Sequence, residues 1–301
     1  MKILLLGKDG QVGRALQLML AALGEFVALG RAEADFERPE ELARVVAAHA
    51  PDVIVNAAAY TAVDKAESDA DRAHLINVEA VSALAKIAQR SGAWLVHYST
   101  DYVYDGKKPD PYVETDPTNP LSVYGASKHQ GDLAIAASGC HHLIFRVSWV
   151  YAMGSNNFAR AILRLARDRE ALSVVADQVG APTSAALIAS TTASVLAKLR
   201  GAPAETEERA GLYHLAPQGA ISRHAYAQEL VRQAVALGAT FKLRAGDIAA
   251  IATADYPTPA ARPLNSRLSC GKLQAAFGID LPPWENDVRQ WVADTVAEGT
   301  F

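Results

Sequence analysis

Tyr124 and Lys128 stand four residues apart in Tyr124-Gly-Ala-Ser-Lys128, near the start of a stretch with helical patterning. On a helix such a pair shares one face, so the phenol and the ammonium project into the same space. A cation beside a phenol favours phenolate and draws the tyrosine pKa down from roughly 10, which suits a general acid or base. A solvated helix face with an amphipathic tyrosine has the same pattern. What the pair means is decided by the elements that precede it.

The chain opens with an apolar run, Lys2-Ile-Leu-Leu-Leu6, that feeds Gly7-Lys-Asp-Gly10-Gln11-Val12-Gly13 and then a helical periodicity from Arg14 to Leu23. Strand, glycine turn and helix in that order form a phosphate-binding unit. Gly7 permits the turn, Gly10 lets backbone N–H groups approach a pyrophosphate, and Gly13 allows close helix–strand packing. The G-x-x-G-x-x-G spacing is one residue longer than the common dinucleotide fingerprint. A second strand, Phe26 to Leu29, ends at Gly30-Arg31, where the adenosine ribose is inspected. A neutral and a cationic residue there favour a 2′-phosphate, hence NADPH, with NADH possible. Asp35-Phe36 follows, and Pro39 opens a helix.

Asp52 to Asn56 is continuously apolar until its end, as expected of a parallel strand covered on both faces. Its exit, Asn56-Ala-Ala-Ala59-Tyr60-Thr61, is small enough to lie against a ring or ribose, and a long helix is expected from about Asp69 to Arg90, carrying Asn77. Trp94 to Asp101 is a fourth strand that presents Ser99, Thr100 and Asp101 at its carboxyl end, where open α/β sheets bind ligands. Glycine loop, small-residue strand end, Ser-Thr-Asp strand end and the Tyr124–Lys128 helix therefore bring their polar groups to one edge of one sheet. The fold class expected is α/β: a Rossmann-like doubly wound parallel sheet with a smaller C-terminal α/β lobe for substrate.

The chain of 301 residues is half hydrophobic and carries a formal charge of −4, which gives no global electrostatic case for nucleic acid or an anionic membrane surface. Cys140 and Cys270 are too few for a disulfide framework and lack metal-ligand spacing, so buried thiols in a reducing compartment are expected. The N-terminal apolar run is too short for a signal peptide or membrane span, which points to the cytoplasm.

Taken together, Gly-Lys-Asp-Gly-Gln-Val-Gly, Val-Asn-Ala-Ala-Ala-Tyr-Thr-Ala-Val-Asp-Lys-Ala-Glu, His-Tyr-Ser-Thr-Asp-Tyr-Val-Tyr, Phe-Arg-Val-Ser-Trp-Val-Tyr, Asp-Gln-Val-Gly-Ala-Pro-Thr and Tyr-Pro-Thr-Pro-Ala-Ala-Arg-Pro-Leu-Asn-Ser-Arg-Leu span residues 7 to 268. With them the chain resembles the extended short-chain dehydrogenase/reductases and, within them, the dTDP-4-dehydrorhamnose reductase family. The resemblance implies that Tyr124 protonates the reduced carbonyl, that Lys128 lowers its pKa and holds the nicotinamide ribose, and that Thr100 bonds the same oxygen. It places the cofactor across Gly10-Gln11-Val12, Asp35-Phe36 and Ala59-Tyr60-Thr61, and the dTDP-sugar against Thr100, Asp101 and Trp149. Some members dimerise around magnesium held by glutamates. Ala15 and Ala186 stand at two of those positions, so no metal is expected, and the protein should be a monomer or a dimer not bridged by magnesium.

Residues 1–150 are read as the dinucleotide-binding domain, with the chain crossing back around 172–216, and 151–301 as mainly the substrate lobe. Helices are expected from Asn156 to about Arg169, Ala185 to Leu199, Ser222 to Leu237 and Pro283 to Ala297, strands at Leu172–Val175 and Gly211–Ala216, and an exposed connection at 201–209. His214 reads as a core histidine. The proline-rich stretch from Tyr256 to Arg267 suits a cleft wall, with Arg262 the candidate for the diphosphate. Two other readings share these motifs. A nucleotide-sugar dehydratase or epimerase would recycle NAD, but such dehydratases follow Thr-Asp with glutamate and Tyr102 stands here. A non-catalytic NADP-binding regulatory subunit of methionine adenosyltransferase would not need the Thr100, Tyr124 and Lys128 set.

Overall fold

A computed structural model of the chain describes residues 1–201 and 207–299. Its centre is a six-stranded sheet in which β1 (Lys2–Leu6) lies between β2 (Glu25–Leu29) and β3 (Val53–Asn56). Beyond β3 follow β4 (Trp94–Thr100), β5 (His142–Val147) and, at the edge, Gly211–His214. Every pairing in this sheet is parallel. All four residues of β3 are buried, because helices cover both faces. One face packs against α1 (Gln11–Leu20) and the helix Ala185–Gly201, the other against α2 (Pro39–His49) and Ala80–Ser91. Strand order reverses at β1, so a crevice opens beyond its carboxyl end.

The long helix expected from 69 to 90 is three pieces: Ala70–His74, a π turn at Leu75–Glu79, and Ala80–Ser91. The widened turn carries Asn77, fully buried, whose side chain bonds across to other elements. Leu172–Val175 pairs with Ile248–Ile251 and not with the central sheet, so the chain's return to the sheet is made by the helix Ala185–Gly201 and the strand Gly211–His214. The reason is packing. Val174 joins Ile248 in a separate core built on the helices Phe158–Asp168, Arg223–Ala236 and Trp284–Glu298. Trp284 and Trp291 are both buried there, as the amphipathic pattern expects. Of the connection expected at 201–209, residues 202–206 lie outside the described residues.

Both cysteines are buried free thiols. His214 is fully buried and bonds the Tyr104 hydroxyl at 2.8 Å, so it serves the core as its sequence context suggests. Among the described residues no helix is long and apolar enough to cross a membrane.

Candidate active site

The glycine loop is tight enough to exclude side chains. Gly7 has φ +84°, a left-handed conformation that glycine adopts freely, and a Cβ on Gly13 would stand 2.0 Å from the Gly7 carbonyl oxygen. Helix α1 therefore starts directly on the turn. Gly10 occupies its N-cap without a side-chain cap, and no acidic residue lies in its first turn. Its leading N–H groups and the positive end of the helix dipole are left for an anion. The buried Oε1 of Gln11 has no partner and is an acceptor, so it suits a donor such as a ribose hydroxyl and not the phosphates, which the N–H groups serve. The residues present thus fit the pyrophosphate of a dinucleotide.

From this loop a cavity of ≈ 930 Å³ runs along the carboxyl edge of the sheet. Gly7, Gly10, Gln11 and Val12 line one end, with Arg31, Asp35 and Phe36 beside them; Ala59 and Thr61 follow. Arg31 is largely exposed and ion-paired with Glu37, which also accepts from Arg72 at 2.7 Å. Tyr60, expected among the cofactor contacts, does not line the cavity. Its ring packs with Ala66 and Ala73, and its hydroxyl donates to Asp69 at 3.0 Å. A small-residue turn continues past the cavity by burying its one large side chain.

Thr100, Tyr124 and Lys128 meet midway along the cavity. Thr100 ends β4, while Tyr124 and Lys128 lie on the helix Val123–Ala137, whose N-cap Ser122 accepts from the Gly125 N–H at 3.1 Å. Asn77 ties this helix to the small-residue turn: its amide donates to Ser127 Oγ at 3.0 Å and its oxygen accepts from the Tyr60 N–H at 2.9 Å. Burial pushes the Tyr124 phenol above its ordinary pKa, and the Thr100 hydroxyl offsets part of that rise. The expected lowering by Lys128 is not the dominant influence. Lys128 is itself buried, desolvation brings its ammonium down to about 8, and its Nζ stands 3.0 Å from His97 Nε2.

The far end of the cavity is made of side chains. Trp149 lines it in a left-handed conformation, φ +47°, uncommon for a non-glycine residue. Gly180 makes room for its indole, since a Cβ there would lie 2.6 Å from the ring. The Arg223 guanidinium sits 3.6 Å from the centre of that ring and 4.8 Å from that of Phe158. No carboxylate among the described residues forms an ion pair with Arg223, yet Asp101 and the phenols of Tyr102 and Tyr226 lie near enough to act on it electrostatically.

Two substrate expectations change. Arg262 does not reach the cavity: its guanidinium is committed to Asp64 through bonds of 2.9 and 2.7 Å, tying the proline-rich stretch to the helix Val63–Ala66. Asp101 is buried behind the lining, accepts from the Thr100 hydroxyl at 3.1 Å, and keeps one carboxylate oxygen unpartnered. Desolvation raises its pKa to about 6. The cation lining the far end of the cavity is Arg223, which the sequence reading did not single out. Its one local signal was position, the first turn of a helix capped by Ser222.

The model of the RmlD substrate binding domain family matches residues 1–297. A dTDP-4-dehydrorhamnose reductase of Burkholderia thailandensis is 49% identical, covering 99% of this chain and 100% of that one. The reductase of the same name from Salmonella typhimurium is 48% identical over the full length of both. Among solved structures, dTDP-4-dehydrorhamnose reductase from Bacillus anthracis, in complex with NADP, superposes with a TM-score of 0.86 at 30% identity over 98% of this chain and 100% of that chain. With the glycine loop, the Thr100–Tyr124–Lys128 set and nearly every residue inside that match, the chain belongs to the RmlD family of the extended short-chain dehydrogenase/reductases.

Proposed function

We propose that this protein is an NAD(P)H-dependent oxidoreductase that reduces the C4 ketone of dTDP-4-dehydro-L-rhamnose to dTDP-L-rhamnose. The observation that carries the reading is one continuous cavity holding an anion-binding glycine loop at one end, Thr100, Tyr124 and Lys128 in the middle, and Arg223 at the other. Bound NADPH, or NADH, supplies the hydride. The protein's own residues supply the rest.

Tyr124 gives its phenolic proton to the C4 oxygen as carbonyl becomes alkoxide, so that charge does not accumulate there, and solvent later restores the phenol. When substrate binds, the single Thr100 hydroxyl hydrogen turns from Asp101 to the same oxygen and holds it beside Tyr124. Lys128 opposes the phenolate left behind. Arg223, close to two aromatic rings, offers its guanidinium to the diphosphate, while Trp149 and Phe158 give that end of the cavity apolar walls. The reaction belongs to the cytoplasm, where nucleotide sugars are made.

The test is direct. The purified chain, given NADPH and enzymatically prepared dTDP-4-dehydro-L-rhamnose, should oxidise the nucleotide and yield dTDP-L-rhamnose. Tyr124→Phe should bind NADPH normally by fluorescence titration and lose about two orders of magnitude or more in kcat. Near-normal turnover in that variant would remove Tyr124 from the role.

A further inference from the structure

His97 is the buried group beside the site that the reaction above does not use. It stands in the middle of β4 and is 1% exposed. In the sheet register it faces Asn56 of β3, and from the other side it meets the Tyr124–Lys128 helix. Both ring nitrogens are engaged. Nδ1 lies 3.0 Å from Asn56 Nδ2, and Nε2 lies 3.0 Å from Lys128 Nζ.

Asn56 decides which ring nitrogen carries the proton. Its Oδ1 accepts from the Ala58 N–H at 3.0 Å, so its NH₂ group is the one turned toward His97. Nδ1 of the imidazole must therefore accept, and a neutral ring that accepts there carries its hydrogen on Nε2. That hydrogen points at Lys128 Nζ. An ammonium has three hydrogens and no lone pair, so it cannot accept; a neutral amine can.

The other groups around Lys128 do not replace this contact. Asp132, one turn along the same helix, gives one carboxylate oxygen to Arg146 of β5 at 3.2 Å and to the Ser99 hydroxyl of β4 at 2.8 Å. Its other oxygen is buried without a partner, and its charge acts on Lys128 in the opposite sense, favouring the ammonium. Tyr124 lies one turn back on the shared face, with Thr100 of β4 and Asp101 and Tyr102 of the following turn near its phenol. Lys128 thus has a buried donor aimed at it, and among the described residues no carboxylate forms an ion pair with it, Asp132 acting on it only through space.

We propose that His97 is a positioning residue that stabilises the neutral amine form of Lys128, bringing the charging of Lys128 into the working pH range. This rests on the role given to Lys128 above. Desolvation of the ammonium acts in the same direction. The proton exchanged is one from solvent onto Nζ; His97 keeps its own. A charged Lys128 opposes the phenolate, so turnover should fall on the alkaline side of the Lys128 titration and hold on the acid side of it.

The experiment combines a spectroscopic and a kinetic reading. Long-range ¹H–¹⁵N spectra of the purified protein without added nucleotide, with His97 identified by its absence in His97→Asn, should show the Nε2–H tautomer. In protein carrying ¹³Cε-lysine, with Lys128 identified through Lys128→Met, its resonance should titrate well below the other lysines. His97→Asn keeps an acceptor for Asn56 in its amide oxygen, and its shorter side chain draws its NH₂ group back from the Nε2 position that faces Lys128. The Lys128 titration and the alkaline limb of kcat should both move up by about one pH unit or more, with KM for either substrate nearly unchanged. Should His97→Asn not fold, Asn56→Asp moves the ring hydrogen to Nδ1 and should raise the Lys128 titration likewise. An Nδ1–H tautomer in the native protein overturns the proposal, as does a Lys128 resonance that titrates with the other lysines or that ignores both variants. Failure of the native chain to turn over the keto sugar, with the Nε2–H tautomer and low Lys128 titration present, would instead remove the proposed function and leave the His97 contact standing.

Discussion

The two ends of the cleft meet unusual backbone and charge in different ways. At the cofactor end the left-handed residue is Gly7, for which that conformation costs little, and the anion site is made of main-chain N–H groups. At the substrate end a non-glycine residue, Trp149, is left-handed, the cation is a side chain close to two rings, and a carboxylate sits buried behind them with one oxygen unpartnered. Strain at a non-glycine residue persists only where its surroundings over-determine it, on the order of 1–3 kcal/mol each. One end is thus built from the absence of side chains, and the other from side chains that their neighbours hold in place.

That contrast breaks most sharply at Gly13. In Gly13→Ala the new Cβ meets the Gly7 carbonyl at 2.0 Å, a main-chain atom that cannot swing away. Overpacking of this kind costs about 1–3 kcal/mol, and the turn that opens no longer presents its N–H groups together. NADPH affinity should fall by about a hundredfold or more, on the scale of 2.7 kcal/mol, with a lower denaturation midpoint. Normal affinity by fluorescence titration would show that the loop is adaptable and the contrast false.

At the opposite end the loss should be graded, because one side chain is removed from a built pocket. Arg223→Met keeps volume between Trp149 and Phe158 and deletes the charge. The KM for the nucleotide sugar should rise about tenfold to a hundredfold, the range of a charge-assisted contact of roughly 1.5–3 kcal/mol, while kcat and the KM for NADPH stay within a fewfold. Arg262→Met is the control. Its guanidinium is occupied by Asp64, so it should lower stability more than it alters the sugar KM. A larger KM effect from Arg262 than from Arg223 would restore the assignment the sequence suggested.

Why the sequence led to Arg262 rather than Arg223 follows from the same contrast. The cofactor end is local: strand, glycines and helix lie within residues 2–20, and their spacing alone implies their geometry. Thr100, Tyr124 and Lys128 were legible because strand ends and a four-residue helical step have fixed directions. Arg223 and Arg262 are both arginines in the second half, and which one is free depends on Asp64, almost two hundred residues away from Arg262. No periodicity encodes that pairing. Tyr60 turns away from the cavity for a related reason, since its partners Asp69 and Asn77 belong to the cap and the π turn of a helical stretch that the pattern read as continuous. His97 was invisible because an apolar strand reveals which residues are buried, not which nitrogen faces a lysine.

Asp101 tests whether the substrate end holds strain as well as shape. Its folded pKa of about 6 lies above the ordinary 3.8, so between those values the native state binds more protons than the unfolded chain. Stability from this group therefore rises as pH falls through 6, and at pH above that window its buried charge is a cost, roughly 3 kcal/mol at most. Asp101→Asn should raise the urea midpoint near neutral pH by an amount equivalent to about 1–2 kcal/mol, and the gain should fade as pH falls below about 6. Catalytic efficiency should drop in the same variant, since Thr100 donates to this carboxylate. Destabilisation at neutral pH would place the strain elsewhere.

The smallest effect is expected at Arg31, the one side chain at the cofactor end assigned a direct electrostatic role. It is mostly exposed, with a side-chain exposure of 68%, and it is already paired with Glu37, so a 2′-phosphate competes for it with a carboxylate and with water. Exposed ion pairs are worth about 0–1 kcal/mol, and exchanging one for another gains no more than that. Arg31→Ser should therefore raise the KM for NADPH by no more than about fivefold and leave NADH unaffected. Glu37→Gln sharpens the point from the other side. It releases both Arg31 and Arg72 from the same carboxylate, so the preference for NADPH should increase, by a similar factor and more at low salt than at high salt. If neither variant alters the ratio of the two cofactors' KM values, the cofactor end selects through its backbone alone, and the contrast with the side-chain end is stronger than the position of Arg31 suggests.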